Sequence, residues 1–326
     1  MAKPEKVKGL NLSISCVDDV LTCVNLASLL EVSAWPKPGN VHRTINFEKT
    51  RFEHFLAGIC AIQISFKNLC YRVSEEYKTN LHDFSSVRLG NFFLDAVKRM
   101  IDWQGGGNVL LGHILILGIL SVTATICIKQ DALSFKDFKQ NLIKIIKEST
   151  PTDSINLYKA IRYCNPGGMG TVQKYDLSND NSLQDLKSDN INLEKIFQLS
   201  QDYDLISYEY ANGFPIILSE GFPYYLETFN KTGDVNVASV HTFLRILANH
   251  PDTLICRKSG LTAAKMVSFT AREILDEKGL LSSKGKKMIK KFDAFLQSKK
   301  GKMNPGTSAD LLAGVIFLSL IFGIKL

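Results

Sequence analysis

One stretch of the sequence, residues 109–128, is almost wholly apolar, and His113 is its only acidic or basic side chain. A helix that is apolar on every side lies either inside a large core or across a membrane. The stretch has the ~20 residues that a membrane span needs, but it starts directly after Gly105-Gly-Gly-Asn108 and has no aromatic residues at its ends. We therefore predict a buried central helix and keep a transmembrane segment as the alternative.

Helical periodicity dominates the rest of the chain. Apolar residues recur every three or four positions in runs at 17–30, 55–66, 138–146, 203–212, 215–229, 236–249 and 262–276. Residues that commonly begin helices precede such runs at Ser15, at Thr50 with Glu53, at Ser134 with Asp137, at Asp153 or Ser154, and at Asn304-Pro305. Alternating patterns typical of strands are nearly absent. We predict an all-α fold, a single multi-helix globular domain over residues 1–326, with an exposed polar connection at about 176–192.

Charge and cysteine content narrow the function classes. The net charge of +7 suits anionic small molecules and is too weak by itself to indicate nucleic acid. The seven cysteines are scattered without a C-x-x-C pair, which favours reduced thiols over a zinc site. The N-terminal segment is charged and lacks an apolar signal core, so we expect a cytoplasmic protein. Its expected partners are nucleotide and CoA-like small molecules, with neither nucleic acid nor membrane, and a homo-oligomer is left open.

A stiff polar corner follows the first predicted helix. Pro36 and Pro38 cannot continue a helix, and Gly39 permits a tight turn or the close approach of a ligand. The polar side chains of this corner are Glu31, Lys37, Asn40, His42 and Arg43. A helix terminator followed by a solvated turn is the alternative interpretation.

Further glycine-bearing corners interrupt the apolar helices at 105–108, 165–170 and 304–310. Free backbone N–H groups at the start of a helix favour anions, so the run Gly105-Gly-Gly-Asn108 is a candidate anion site, with a flexible turn as the alternative. Asp310 lies near the start of an apolar helix, where an unpaired carboxylate is costly to bury. It should meet a cation, a metal ion or a hydrogen-bond donor.

Other acids and bases stand beside helix breaks. Asp252 precedes the pair Arg257-Lys258 by a few residues. Carboxylate oxygens suit Mg²⁺, which bridges substrate phosphates, and Lys37, Arg257 and Lys258 can supply the matching cations. His54 has apolar neighbours at the start of a predicted helix, and either a structural or a binding role is open for it.

The order of these motifs resembles the triphosphoribosyl-dephospho-CoA synthase family. The resemblance covers residues 17–322 and rests mainly on Pro-Lys-Pro-Gly-Asn-Val at 36–41 and Pro-Gly-Thr-Ser-Ala-Asp-Leu-Leu-Ala at 305–313. Weaker matches are Phe-Glu-His-Phe-Leu at 52–56, Gly-Gly-Asn at 106–108, Gly167-Gly168, and Asp252-Thr253 with Arg257.

The resemblance implies an all-α, magnesium-dependent enzyme that uses ATP as a substrate. The family breaks the N-glycosidic bond of ATP, releases adenine, and passes the triphosphoribosyl group to a ribose hydroxyl of dephospho-CoA. Such chemistry needs cations for the triphosphate, a carboxylate near the oxocarbenium-like centre and a base for the hydroxyl. On this basis we predict Glu31 and Asp310 as catalytic, Asp252 and Asp310 as metal ligands, and Lys37, Gly39, Asn40, His54, Gly107, Asn108, Gly168, Arg257 and Lys258 as substrate-binding.

Two corners depart from the family's pattern. Citrate-lyase members usually have Asn-Thr-His-Lys-Gly where this chain has Asn108-Val-Leu-Leu-Gly112, and His113, one position later, is expected to face a different direction. The first corner usually reads Pro-Gly-Leu-Val-Asp, where this chain has Asn40 and His42. Two alternatives therefore stay open: a related transferase with a different acceptor, and a helical nucleotide- or cofactor-binding protein without turnover.

Overall fold

The protein is described by a computed structural model that covers residues 9–76, 83–167, 170 and 172–326. Within these ranges the backbone is helical and forms no strand beyond isolated bridges, so the all-α prediction is confirmed. The helices are α1 (Val17–Ser33), α2 (Phe52–Glu76), α3 (Leu89–Asp102), α4 (Leu111–Gln130), α5 (Phe135–Lys147), α6 (Pro151–Cys164), α7 (Ser182–Ser188), α8 (Leu193–Ser200), α9 (Leu205–Asn212), α10 (Phe222–Thr232), α11 (Val235–Asn249), α12 (Thr253–Ser259), α13 (Leu261–Asp276), α14 (Ser283–Gln297) and α15 (Gly306–Ile321). Short 3₁₀ turns lie at Phe84–Val87 and Gly279–Leu281, and a π-helix at Ile216–Gly221 precedes α10.

The core is built around the two most apolar helices, α4 and α15. Helix α4 is buried at every position from Gly112 to Cys127, which confirms the predicted central helix. Gly314 lets α15 approach α4 closely, because a Cβ atom there would lie 2.8 Å from Ile116 Cγ2. Helix α1 packs against both α4 and α15, so the N-terminal ends of α4 and α15 meet beside the C-terminal end of α1.

Helix α4 also meets the length and composition of a membrane span, and 89% of its apolar stretch is buried inside the protein. A core helix satisfies the same test as a transmembrane helix, so this match is weak evidence for a membrane.

Several predicted helix starts need correction. Ser134 caps α5 as predicted, accepting a hydrogen bond from Asp137 N. Thr50 does not cap α2, because its hydroxyl donates to the Gly106 carbonyl, and Asn46 Oδ1 accepts from Phe52 N instead. Other starts differ by one to four positions: the N-cap residues are Cys16 for α1, Thr150 for α6 and Pro305 for α15.

The segment at 176–192 is not simply an exposed connection, because it contains helix α7. Leu186 of α7 is fully buried. Arg162 of α6 donates to the carbonyl oxygens of Leu177 and Asn179, at 2.6 and 2.7 Å. The polar side chains of this segment form turns by binding the segment's own backbone. The hydrogen bonds from Arg162 hold the segment against α6.

Candidate active site

A large cavity of about 1210 Å³ lies where the predicted corners meet. Its walls come from the end of α1, the loop at 37–50, the starts of α4 and α15, helices α6, α8 and α12, and the turns at 165–167, 170, 172–177 and 300–306. Ligand pockets for one small molecule usually measure about 300–1,000 Å³. This cavity therefore exceeds the usual size of a pocket for one small ligand.

The floor of the cavity is a cluster of four ionisable side chains. Glu31 and Lys37 are almost completely buried and form an ion pair, and Lys37 Nζ also donates to the Glu31 carbonyl at 2.6 Å. His113 Nε2 lies 3.2 Å from Glu31 Oε2 and 3.7 Å from Asp310 Oδ1. The cluster joins α1, the first corner, α4 and α15, and we call it the floor cluster.

The two carboxylates of the floor cluster differ in their electrostatics. Burial raises the pKa of Glu31, but Lys37 and His113 outweigh burial and hold that pKa below its usual value. Burial raises the pKa of Asp310 to about 7, with His113 opposing and Glu31 and Asp252 adding to the rise. Glu31 is thus a fixed anion, whereas Asp310 exchanges a proton near neutral pH.

The surroundings of Asp310 make it the reactive member of the floor cluster. Its side chain is 23% exposed and lines the cavity, and no hydrogen-bond donor of the described chain reaches its oxygens apart from His113 at 3.7 Å. Gly112 makes its position possible, because a Cβ atom at Gly112 would lie 2.0 Å from Asp310 Oδ2. A carboxylate of this kind can accept a proton or bind a cation.

Asp252 does not belong to the cavity, which contradicts its prediction as a metal ligand. It is fully buried, and its Oδ1 accepts from Leu254 N and Ile255 N at the start of α12. Its Oδ2 accepts from Ser308 N and Ser308 Oγ, at 2.7 and 2.9 Å. With four donors in place, the carboxylate caps α12 and ties it to α15, and a metal ion finds no free oxygen.

Six predicted binding residues line the cavity, namely Lys37, Asn40, Gly107, Asn108, Arg257 and Lys258. Asn108 also begins α4, because its Oδ1 accepts from Leu111 N at 3.1 Å. Gly39 and His54 are absent from the cavity wall.

Gly39 and His54 have structural contacts in place of the predicted binding role. Gly39 has a left-handed φ of 77° and its N–H donates to Asp293 Oδ1 of α14 at 2.9 Å. Asp293 also accepts from Gln297, which donates to the Asn40 carbonyl at 2.8 Å, so α14 holds the first corner in place. His54 Nδ1 accepts from Arg51 N at the start of α2.

A group of cations stands at one side of the cavity, and we call it the cationic rim: Arg257, Lys258 and Lys300. Arg257 Nη1 donates to Asp204 Oδ1 at 3.0 Å, whereas its buried Nε has no hydrogen-bond partner in the described part of the chain. Burial and the Arg257 charge lower the pKa of Lys258. The rim is therefore short of anions, which favours a phosphate there.

Gly168 lies outside the described residues, while its neighbour Gly167 lines the cavity. A metal cluster of three or more acidic, histidine or cysteine side chains does not occur among the residues that are described.

Comparisons with known proteins address the identity of this site. A sequence model described as ATP:dephospho-CoA triphosphoribosyl transferase matches residues 18–325. The chain belongs to this family. It is 25% identical over 288 residues to a protein of Acinetobacter calcoaceticus named as a probable 2-(5''-triphosphoribosyl)-3'-dephosphocoenzyme-A synthase, covering 88% of this chain and 86% of that protein. The synthase of that name from Klebsiella pneumoniae is 23% identical, covering 98% of this chain and 94% of that protein.

A solved structure has the same fold. It is a protein of Archaeoglobus fulgidus, provisionally named a triphosphoribosyl-dephospho-CoA synthase, with a TM-score of 0.60 and 24% identity. The match covers 83% of this chain and all of that chain. Membership of the triphosphoribosyl transferase family makes this chain an enzyme, and it does not favour the alternative of a binding protein without turnover.

The main functional residue that sequence reasoning missed is His113. We predict for it a different direction from that of the family's histidine and assign it no role in the site, but α4 turns it towards Glu31 and Asp310. One signal for it was available: an ionisable side chain inside an otherwise apolar helix is costly to bury without a partner. The apolar wall residues of α6 and α8 were missed as well, because apolar side chains in a helical stripe look like ordinary core.

Proposed function

We propose that this chain transfers the triphosphoribosyl group of ATP to a ribose hydroxyl of dephospho-CoA and releases adenine. The observation that carries the proposal is the Asp310 carboxylate, open to the cavity beside His113 and without a saturating donor. Family membership and a cavity of about 1210 Å³, larger than the usual pocket for one small ligand, support it.

The step follows from the positions of the side chains. The C1'–N9 bond of ATP breaks with its electron pair moving to adenine, and the acceptor hydroxyl forms a new bond to C1'. Asp310 accepts the hydroxyl proton, and its position beside the reacting carbon also stabilises developing positive charge. A proton equivalent leaves with adenine, so charge balances over the turnover.

The remaining floor residues hold Asp310 in this role. Lys37 compensates the charge of Glu31, and His113 stands between the two carboxylates. The cationic rim binds the phosphates through the charges of Arg257, Lys258 and Lys300. Asn40, Gly107 and Asn108 form the wall beside the start of α4 and orient the substrates.

A magnesium ion fits this site only as a companion of the triphosphate. Mg²⁺ usually keeps several waters and binds one or two carboxylates plus substrate phosphates. Asp310 offers one such carboxylate, because its oxygens lack strong donors and its raised pKa shows that a nearby cation would be favourable. When bound, the ion would neutralise phosphate charge, and Asp310 is the one residue we assign to it.

The test is adenine release from ATP and Mg²⁺, followed by chromatography with and without dephospho-CoA. We expect release that depends on dephospho-CoA and a product with the combined mass of both parts. Adenine released slowly and equally without dephospho-CoA would reject this acceptor and keep the ATP cleavage. Absence of release under both conditions, with purified folded protein, would reject the proposed reaction.

A further inference from the structure

One wall of the cavity is formed by uncharged side chains and is separate from the floor cluster and the cationic rim. It is formed by α6 and α8 together with the residues that follow α8. Its members are Leu157, Tyr158, Ile161, Cys164, Ile196, Phe197, Leu199 and Tyr203, and we call it the apolar chamber.

Polar groups around the chamber, apart from the Tyr203 hydroxyl, have partners within the protein. Tyr158 OH donates to the Tyr175 carbonyl at 2.7 Å, and Ser200 Oγ donates to Ser207 Oγ at 2.8 Å. Asp204, the nearest carboxylate in sequence, accepts from Ser207 and from Arg257. The wall therefore presents carbon atoms to the cavity and offers a ligand little charge or hydrogen bonding.

Large side chains of the chamber remain uncovered. Leu199 is 57% exposed and Tyr203 is 54% exposed, although both line the cavity. Phe197 is fixed by stacking on Tyr210, with ring centroids 4.1 Å apart. Exposed apolar surface on a rigid, concave wall is typical of a ligand site.

The absence of charge in the apolar chamber indicates which part of the two substrates it binds. ATP and dephospho-CoA both carry phosphates, which the cationic rim and Lys37 attract. Only dephospho-CoA also has a long uncharged arm, with a dimethyl branch, two amides and a thiol. This arm matches a wall without charge, and the Tyr203 hydroxyl, which has no partner in the described residues, can bond to one of its amides.

We propose that the apolar chamber binds the pantetheine arm of the acceptor, while the acceptor's phosphates lie at the cationic rim. This inference rests on the proposed function, since it names the site for one of its two substrates. It makes α6 and α8 the determinants of acceptor choice and leaves ATP binding to the floor cluster and rim.

The experiment compares the binding of dephospho-CoA and ADP by titration calorimetry, because ADP has the same adenosine diphosphate part without the arm. The parent should bind dephospho-CoA at least about tenfold more tightly than ADP. Ile161→Trp, which fills the chamber, and Tyr203→Ala, which removes part of its wall at a half-exposed position, should each lose most of this preference. ATP and ADP affinities should stay within about twofold, since both residues belong to the apolar chamber and neither is part of the cationic rim.

Tyr163→Trp is the matched control. Tyr163 is 43% exposed on α6, outside the cavity wall, so an indole there should leave both affinities unchanged. If Ile161→Trp fails to fold, Tyr203→Ala decides the result alone.

The outcomes separate this inference from the proposed reaction. Equal weakening of ATP, ADP and dephospho-CoA in the variants would overturn the inference, since the chamber would then hold an adenine ring. A parent that releases adenine with dephospho-CoA yet binds it no more tightly than ADP would also overturn the inference and keep the reaction. A parent that prefers dephospho-CoA but releases no adenine would support the arm site and reject the reaction.

Discussion

Asp252 binds Ser308 near the start of α15, two positions before Asp310, and the surroundings of the two carboxylates differ completely. Asp252 accepts four hydrogen bonds from α12 and α15 and is sealed in the core. Asp310 lies in the cavity with only His113 near its oxygens. A buried carboxylate with its donors in place holds helices together, whereas one without donors is free to react. The variants below test this difference.

The largest effect is expected from Asp310→Asn. Loss of a proton acceptor at the reacting centre should slow adenine release by about 10²–10⁴-fold, because an amide cannot take the hydroxyl proton. The free energy of unfolding should fall by no more than about 1 kcal/mol, since no strong donor is left unpaired. The rate of adenine release gives the first quantity, and urea titrations give the free energy of unfolding. A stability loss of several kcal/mol with retained turnover would remove Asp310 from the site.

Asp252→Ala should show the opposite pattern. Removing the carboxylate leaves the N–H groups of Leu254, Ile255 and Ser308 without partners, so we expect a stability loss of about 3 kcal/mol. Turnover per folded molecule should stay within about tenfold at a temperature where the variant is folded. Urea unfolding gives the first quantity and adenine release the second. An unchanged free energy of unfolding would contradict the structural role of Asp252.

The pH dependence of stability distinguishes the two carboxylates further. The pKa of Asp310 rises from 3.8 to about 7, so in this range the folded state holds a proton that the unfolded state has lost. Stability of the parent should therefore fall as pH rises through this range, and Asp310→Asn should remove about 2 kcal/mol of that fall. Burial also raises the pKa of Glu209 to about 8. Its contribution to the pH dependence is the same in both proteins, so it does not affect the difference between them. Urea titrations at pH 5 and pH 8 give the difference, and parallel curves would contradict the raised pKa.

The smallest effect is expected from Gly112→Ala. Its Cβ atom would lie 2.0 Å from Asp310 Oδ2, so the carboxylate must move away from α4. We expect adenine release to fall by about tenfold and stability by about 1 kcal/mol. Gly118→Ala tests packing alone, because its Cβ atom would meet the ring of Phe92 at 2.4 Å, away from the cavity. Equal loss of turnover in both variants would mean that core packing, not the position of Asp310, matters.

Much of the fold could be predicted from local patterns. The stretch that becomes α4 is apolar on every side, and only a central position satisfies such a helix inside a folded core. The corner at Glu31 and Lys37 could be recognised because its prolines fix the chain direction within a few residues. The resemblance added Asp310 to the same site, and the structure brings all three together.

The rest depends on contacts between distant segments. The partner of Asp252 is Ser308, on another helix, so its sequence neighbours did not reveal that it was satisfied. The direction of His113 follows from how α4 is rotated against α1 and α15, which helical periodicity leaves undefined when every face is apolar. Thr50 likewise binds Gly106 instead of its own helix.

The floor cluster combines Glu31 from α1 with Asp310 from α15, the first and last helices described here. During folding, these side chains meet only when a loop of almost the whole chain closes, and such distant contacts form slowly because closing a long loop costs entropy. Ligand affinity should therefore arise late and abruptly during refolding, together with the docking of α15. Catalytic activity therefore requires the docking of α15. A chain that has stopped folding before this step has no activity.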